Sequence, residues 1–313
     1  MELPIVVVRF MLVLVLVLAA GAARPAAAQV KGMRYLRVPD STAVQIVKLA
    51  DGSTVVGRFI DVATDPLRFE TSGGVITIRR ADLREIKETQ RSGLRSGEYW
   101  PDDPNPSRLF FGPTARVLPA NEADFSSTYL FLLSGSAGVG GVGQLGAGLS
   151  VLPLDDFSDN LFFVTGKVGI PVSPKVQFAV GGLAGWAGGF DDDIGGAGIG
   201  AVYGVGTFGT KDHAFTGGIA LPFGDVDTKP VFLLGGETRV GKRVKLVTEN
   251  YFVVEDDRYQ ISGVQYGSRH LAGVFGYGFR IFGDKIAVDL AFLNSTEGGV
   301  FPGVPYVDFV VRF

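Results

Sequence analysis

From Arg108 to Phe313, apolar residues alternate with small or polar ones in run after run, the period of two that belongs to strands. The candidate strands are 108–118, 126–140, 143–153, 160–170, 175–187, 195–208, 213–223, 229–239, 243–254, 269–282, 285–294 and 305–313. That makes about twelve, each near the 9–11 residues or more that a tilted strand needs to cross a bilayer. Short connections at 141–142, 171–174, 209–212, 240–242 and 283–284 alternate with longer ones at 119–125, 188–194, 255–268 and 295–304. An even strand count with this alternation lets an antiparallel barrel close with both ends on one side. After residue 28 no uninterrupted apolar stretch of about 18 residues occurs, so a membrane-spanning form of this chain must cross with strands.

The rows within strands fit a lipid wall. Val307, Phe309, Val311 and Phe313 alternate with Asp308, Val310 and Arg312, and Ile286, Val288, Leu290 and Phe292 with Ala287, Asp289 and Ala291. Leu271, Phe275, Tyr277, Phe279 and Ile281 alternate with His270, Ala272, Gly276, Gly278 and Arg280. The chain holds 45 glycines without a collagen-like period of three. Gly196, Gly198, Gly200, Gly204 and Gly206 share one face, opposite Ala197, Ile199, Ala201, Tyr203 and Val205. They are expected to point inward and leave room in a narrow lumen. A two-sheet sandwich hiding the apolar rows is the alternative.

Residues 1–28 read as an export signal. Arg9 precedes an apolar run from Phe10 to Ala20, Ala26-Ala27-Ala28 suits cleavage, and Gln29 begins the mature chain. The alternative, a retained anchor, has an apolar core shorter than the roughly 20 residues a spanning helix needs. Without cysteine there is no disulfide, thiolate zinc site or lipid-modified thiol. A formal net charge of −3 offers no basic face for nucleic acid.

Residues 29–90 read as short strands broken by turns such as Ala50-Asp51-Gly52-Ser53 and Asp65-Pro66. Leu67 and Phe69 alternate with Arg68 and Glu70. This pattern resembles a small SH3-like or Sm-like β-domain. Residues 91–107 form the expected linker, since Pro101, Pro104 and Pro106 forbid a regular element. The fold class is therefore all-β: a small domain, then an antiparallel transmembrane β-barrel over 108–313.

The chain ends Tyr306-Val307-Asp308-Phe309-Val310-Val311-Arg312-Phe313. This resembles the C-terminal signal of outer-membrane barrels, carried here by Tyr306, Phe309, Val311 and Phe313, and implies the barrel-assembly machinery as a partner during biogenesis. Further segments are Leu49-Ala50-Asp51-Gly52-Ser53, Gly97-Glu98-Tyr99-Trp100, Arg108-Leu109-Phe110-Phe111-Gly112-Pro113, Tyr203 to His213, Val247-Thr248-Glu249-Asn250 and Pro305 to Val311. With them the chain is similar to an uncharacterised family of bacterial outer-membrane β-barrel proteins with a small N-terminal periplasmic domain. The resemblance implies fold and location and no activity.

Acidic residues gather in the connections assigned to the outer side: Glu122, Asp124, Asp155, Asp156, Asp159, Asp191, Asp192, Asp193, Asp225, Asp227, Glu255, Asp256, Asp257 and Glu297. Lys175, Lys211, Arg239, Lys242, Arg243 and Lys285 flank the inner turns. Such an acidic rim suits ions between lipopolysaccharides, while Asp191-Asp192-Asp193 lacks the ligand spacing of a calcium loop. Inside the barrel, Arg280, Asp289, Asp308 and Arg312 are expected together on three consecutive strands, with Glu237, Arg239, Lys245 and Glu249 on the neighbouring pair. Glu249 and Asn250 cannot both face inward without a bulge.

Four acids balanced by four bases suit ion pairs that brace or plug the lumen. A charged constriction selecting solutes is the alternative. No catalytic residue, cofactor or metal site is expected. Ser268 and His270, near Asp256 and Asp257, come nearest to a nucleophile–base pair, but Ser-x-His recurs by chance. Gly138 to Gly143 opens no helix and is no nucleotide fingerprint. The expected function is a non-enzymatic outer-membrane barrel, structural or a narrow pore for small solutes, in contact with lipid and lipopolysaccharide. The rival is a membrane-anchored interaction protein whose N-terminal domain binds a periplasmic protein partner; an outer-membrane hydrolase is a distant third.

Overall fold

The computed structural model describes residues 30, 32–40, 43–90, 94–95, 98–154, 159–187, 197–226, 228–261, 264–299 and 301–313. The expected export signal 1–28, Gly196, and the acidic residues Asp155, Asp156, Asp191, Asp192, Asp193 and Asp227 lie outside them. The chain divides into two compact units, Met1–Trp100 and Pro101–Phe313.

In the first unit, β1 (Ala43–Leu49), β2 (Thr54–Asp61), β3 (Leu67–Thr71), β4 (Gly74–Ile78) and β5 (Leu83–Gln90) form one antiparallel sheet in the order β4-β3-β2-β1-β5. Two-residue strands β6 (Leu94–Arg95) and β7 (Glu98–Tyr99) pair with each other. Alternation buries one face: Val47, Phe59, Leu67, Phe69, Ile78, Leu83 and Ile86 share a core, and the Phe59 and Phe69 rings meet edge-on at 4.9 Å. Gln45 is the polar exception, wholly buried yet fully used. Its amide nitrogen donates to the carbonyls of Tyr35 (2.6 Å) and Arg37 (3.0 Å), and its oxygen accepts the Phe59 N–H (2.9 Å).

The second unit is a closed antiparallel barrel of twelve described strands. They are β8 (Ala123–Thr128), β9 (Leu132–Val139), β10 (Gly143–Ser150), β11 (Leu161–Ser173), β12 (Val176–Ala187) and β13 (Ala197–Gly209). The circuit continues through β14 (His213–Gly224), β15 (Val231–Gly241), β16 (Val244–Ile261), β17 (Val264–Phe282), β18 (Ile286–Ser295) and β19 (Val304–Arg312), which pairs with β8. Tight turns follow β9, β11, β13, β15 and β17 at what is here the turn end; β10, β12, β14 and β18 finish at the opposite, loop end.

The first expected strand, 108–118, does not exist. The expected run 126–140 supplies two strands instead, β8 and β9, reversing at Tyr129 and Leu130, whose φ angles of 53° and 67° are left-handed. Strand count and parity therefore survive while the start of the barrel moves to Ala123. Glu122 and Asp124 consequently sit at the turn end and not in an outer loop: Glu122 pairs with Arg312, and Asp124 lies opposite it in the ladder. At the loop end, Glu255 meets Lys229 at 2.8 Å and the Asp225 carboxylate accepts the Gly198 N–H at 3.0 Å.

The glycine row of β13 faces outward, against expectation. Tyr203, Val205 and Thr207 take the lumen side, with Val205 and Thr207 buried. A β-carbon on Gly200 would collide with the Phe223 ring, and one on Gly206 would crowd Phe178 and Phe208, so outward aromatic rings lie over these glycines. Outward side chains around the wall are apolar and exposed, among them Leu145, Val180, Phe232, Leu271, Phe279 and Leu290. A contiguous apolar belt of this kind far exceeds the patches that water-exposed proteins carry, and it identifies the wall as lipid-facing. Phe279→Arg is expected to lower stability in lipid vesicles by about 2–4 kcal/mol, the cost of a mid-bilayer arginine, measured by denaturant titration. The unboiled chain should migrate differently from the boiled one on a gel.

Candidate functional site

The lumen is filled by the chain itself. Residues 101–118, expected as the end of a linker and a first strand, enter the barrel at the turn end and fold back as a hairpin. The Leu109 N–H donates to the Gly112 carbonyl (2.8 Å), the Thr114 N–H to Ser107 (3.0 Å), and the Thr114 hydroxyl to Pro106 (2.7 Å). Pro101, Asp103, Pro104, Asn105, Ser107, Leu109, Phe110, Gly112, Thr114, Ala115 and Leu118 are buried. Prolines suit this path because each brings one fewer N–H that needs a partner away from water.

Wall side chains address the hairpin mainly through its main chain. Lys167 on β11 spends its three ammonium protons on the carbonyls of Ser107 (2.8 Å), Thr114 (3.0 Å) and Arg116 (2.6 Å). The Glu249 carboxylate on β16 does the converse, accepting the N–H groups of Phe110 (2.7 Å), Phe111 (3.1 Å) and Gly112 (3.0 Å). Arg239 donates to the Pro101 carbonyl (3.0 Å), the Tyr306 hydroxyl to Phe110 (3.2 Å), the Ala115 N–H to Thr207 (2.9 Å), and the Leu118 N–H to Gln144 (3.1 Å).

Charge pairs complete the fit. Arg280, wholly buried, grips Asp289 through two bonds of 2.7 and 2.8 Å. It also reaches Asp103 (3.2 Å) and the carbonyls of Asn105 (2.6 Å) and Leu109. Lys245 joins Asp103 (2.9 Å) to Glu237 (2.7 Å), and Glu237 also takes Arg116. Arg108 meets Asp308 at 2.6 Å. Burial alone would raise the pKa of Asp103, but Arg280 and Lys245 outweigh it and hold the carboxyl below the usual carboxylate range.

Seven of the eight charges expected in the lumen thus surround the hairpin: Glu237, Arg239, Lys245, Glu249, Arg280, Asp289 and Asp308. Arg312 stands apart at the turn end with Glu122. Glu249 and Asn250 divide without a bulge, Glu249 inward and Asn250 outward, where its amide donates to the Leu234 carbonyl (2.9 Å). Sequence reasoning missed Asp103, Arg108, Arg116 and Lys167. For Lys167 a signal existed, the single charge in the run 160–170. Tyr306 turns inward, buried against Phe110, whereas Phe309 and Phe313 of the terminal motif are exposed.

Ser268 belongs to β17, which begins at Val264, and His270 approaches Glu297 at 3.3 Å. His213 bonds Thr238 at 2.6 Å. A cavity of about 430 Å³ remains at the turn end, lined by Asp102, Arg116, Glu122, Thr210, Lys211 and Arg312.

No family model and no curated protein matches the chain. Among solved structures, in-vitro folded OmpT, an outer membrane protein of Vibrio cholerae in its trimer form, is 13% identical over 87% of this chain and 96% of that one, with a TM-score of 0.32. Outer-membrane expressed OmpT of Vibrio cholerae gives 10% identity, 88% and 99% coverage, and 0.31. The N-terminal β-barrel domain of Pseudomonas aeruginosa OprF gives 12% identity, 63% and 98% coverage, and 0.17. OmpT is described as an outer membrane protein and the OprF fragment as a β-barrel domain, and at these identities and scores nothing passes from them to this chain.

Arg280→Met should destabilise the folded barrel by about 3–5 kcal/mol, because Asp289 and Asp103 lose the charge that offsets their burial. Glu249→Gln, which keeps shape but removes the charge, should cost about 1.5–3 kcal/mol. Unfolding titrations of both variants in the same detergent check the order.

Proposed function

We propose that this chain is a non-enzymatic outer-membrane β-barrel, shut at rest by its own hairpin, that holds the small β-unit on the periplasmic side. One observation carries the reading: Lys167, Glu249 and Arg280 are engaged by the hairpin's main chain, its Asp103 and the wall's Asp289, which occupies them against a solute. The turn end faces the periplasm in this reading, as short turns do in bacterial barrels. The small unit is then free to dock a periplasmic protein, with lipopolysaccharide around the loop end. Tyr306, Phe309, Val311 and Phe313 serve assembly by the barrel-insertion machinery.

A gated narrow pore is the second reading, favoured by the path of the hairpin. Both limbs leave at the turn end, one at Pro101 beside Arg239 and the other at Leu118 beside Gln144. Withdrawal therefore breaks no strand pairing of the wall.

In planar bilayers the full chain should be electrically silent, and a variant with residues 105–115 replaced by a short Gly-Ser link should conduct. Steady conductance by the unaltered chain would overturn the closed-barrel reading.

A further inference from the structure

The wall is not equally tall all round. β8 has six residues and β9 and β10 have eight each, whereas β16 and β17 have 18 and 19. At about 3.3 Å per residue and a tilt near 40°, six residues climb about 15 Å, against an apolar belt of about 25 Å. The β8–β9 reversal therefore stops part-way through the bilayer. The ladder sets it beside the lipid-facing wall: the Tyr129 N–H donates to the Val307 carbonyl (3.0 Å), Val307 lies opposite Leu290, and Leu290 lies opposite Phe279.

The residues at this reversal match such a level. Tyr129, Leu130 and Phe131 are 40%, 66% and 48% exposed. A two-residue hairpin turn in water draws on Gly, Asn or Asp to reach positive φ. Here Tyr129 and Leu130 accept that strain, and it places bulky apolar side chains where a polar turn would meet hydrocarbon. The Tyr129 hydroxyl is turned back to the Pro305 carbonyl at 2.6 Å. From there rings lead inward. Tyr129 meets Tyr306 at 5.7 Å, and Tyr306 meets Phe111 at 4.7 Å, at the tip of the closing hairpin. Phe111 is 44% exposed although its neighbours Leu109 and Phe110 are buried.

We propose that the low β8–β9 wall is a lateral opening within the hydrocarbon, and that an acyl chain of the outer leaflet lies over Leu130 and Phe131 and reaches Phe111. The proposal rests on the membrane-barrel reading. The bilayer is its occupant because the strands beneath the opening are too short to reach the polar surface.

The chain has no cysteine, so single labels are clean. Leu130→Cys, Phe111→Cys and Leu290→Cys, each carrying a small fluorophore, would be refolded into phosphatidylcholine vesicles containing lipid nitroxides at mid-chain or at the headgroup. All three labels should be quenched at least twofold more by the mid-chain nitroxide than by aqueous iodide. If the Leu290 label reports mid-chain while the label at Leu130 or Phe111 is quenched by iodide, the opening is refuted and the barrel stands. If all three report water, the membrane reading itself falls.

Discussion

Hydrocarbon offers no hydrogen-bond partner, and from that constraint most of this structure follows. Every N–H and carbonyl of a spanning strand must pair with a neighbour, so the sheet has to close on itself. Closure of twelve strands leaves an interior, and the interior has to hold something. In this chain it holds a peptide hairpin, whose own backbone groups then face the same demand. Lys167, Glu249 and Arg280 meet it from the wall, each converting a costly buried charge into several charge-assisted bonds.

Much of this was legible in the residues. Period-two alternation gave the class, the short and long connections gave the parity, and inward charges on β15 to β19 suited ion pairs that brace or plug the lumen, with an open, charged constriction as the alternative. What the lumen holds was hidden, and for physical reasons. Arg108 to Leu118 alternates well enough to pass for a strand, because a segment threaded through a polar interior also shows two faces. Pro101 to Pro106 looked like solvent-exposed linker, since prolines and carboxylates mark both a loop in water and one satisfied by buried cations. The eight expected charges balanced among themselves, so nothing demanded a further partner such as Asp103 or Lys167.

The glycines of β13 mislead for a related reason. A row of glycines states that space is needed on one face without saying which. Tyr203 decides it, because its ring fills the lumen side and passes close over Gly181, leaving Phe223, Phe178 and Phe208 to cover the outer row. Lipid tolerates that arrangement: outside the wall, rings and acyl chains are interchangeable fillers.

Asp308 has a role that reaches beyond charge balance. Its carboxylate takes Arg108 on one oxygen and the Thr128 hydroxyl (2.8 Å) on the other, so one side chain ties together the last strand, the first strand and the inserted hairpin. β8 and β19 share a short ladder, from Thr128 opposite Asp308 to Asp124 opposite Arg312, and it is the seam where the cylinder is zipped shut. The suture of the wall and the seating of its contents therefore share one carboxylate, and a barrel without the hairpin in place would lack a stitch at that joint.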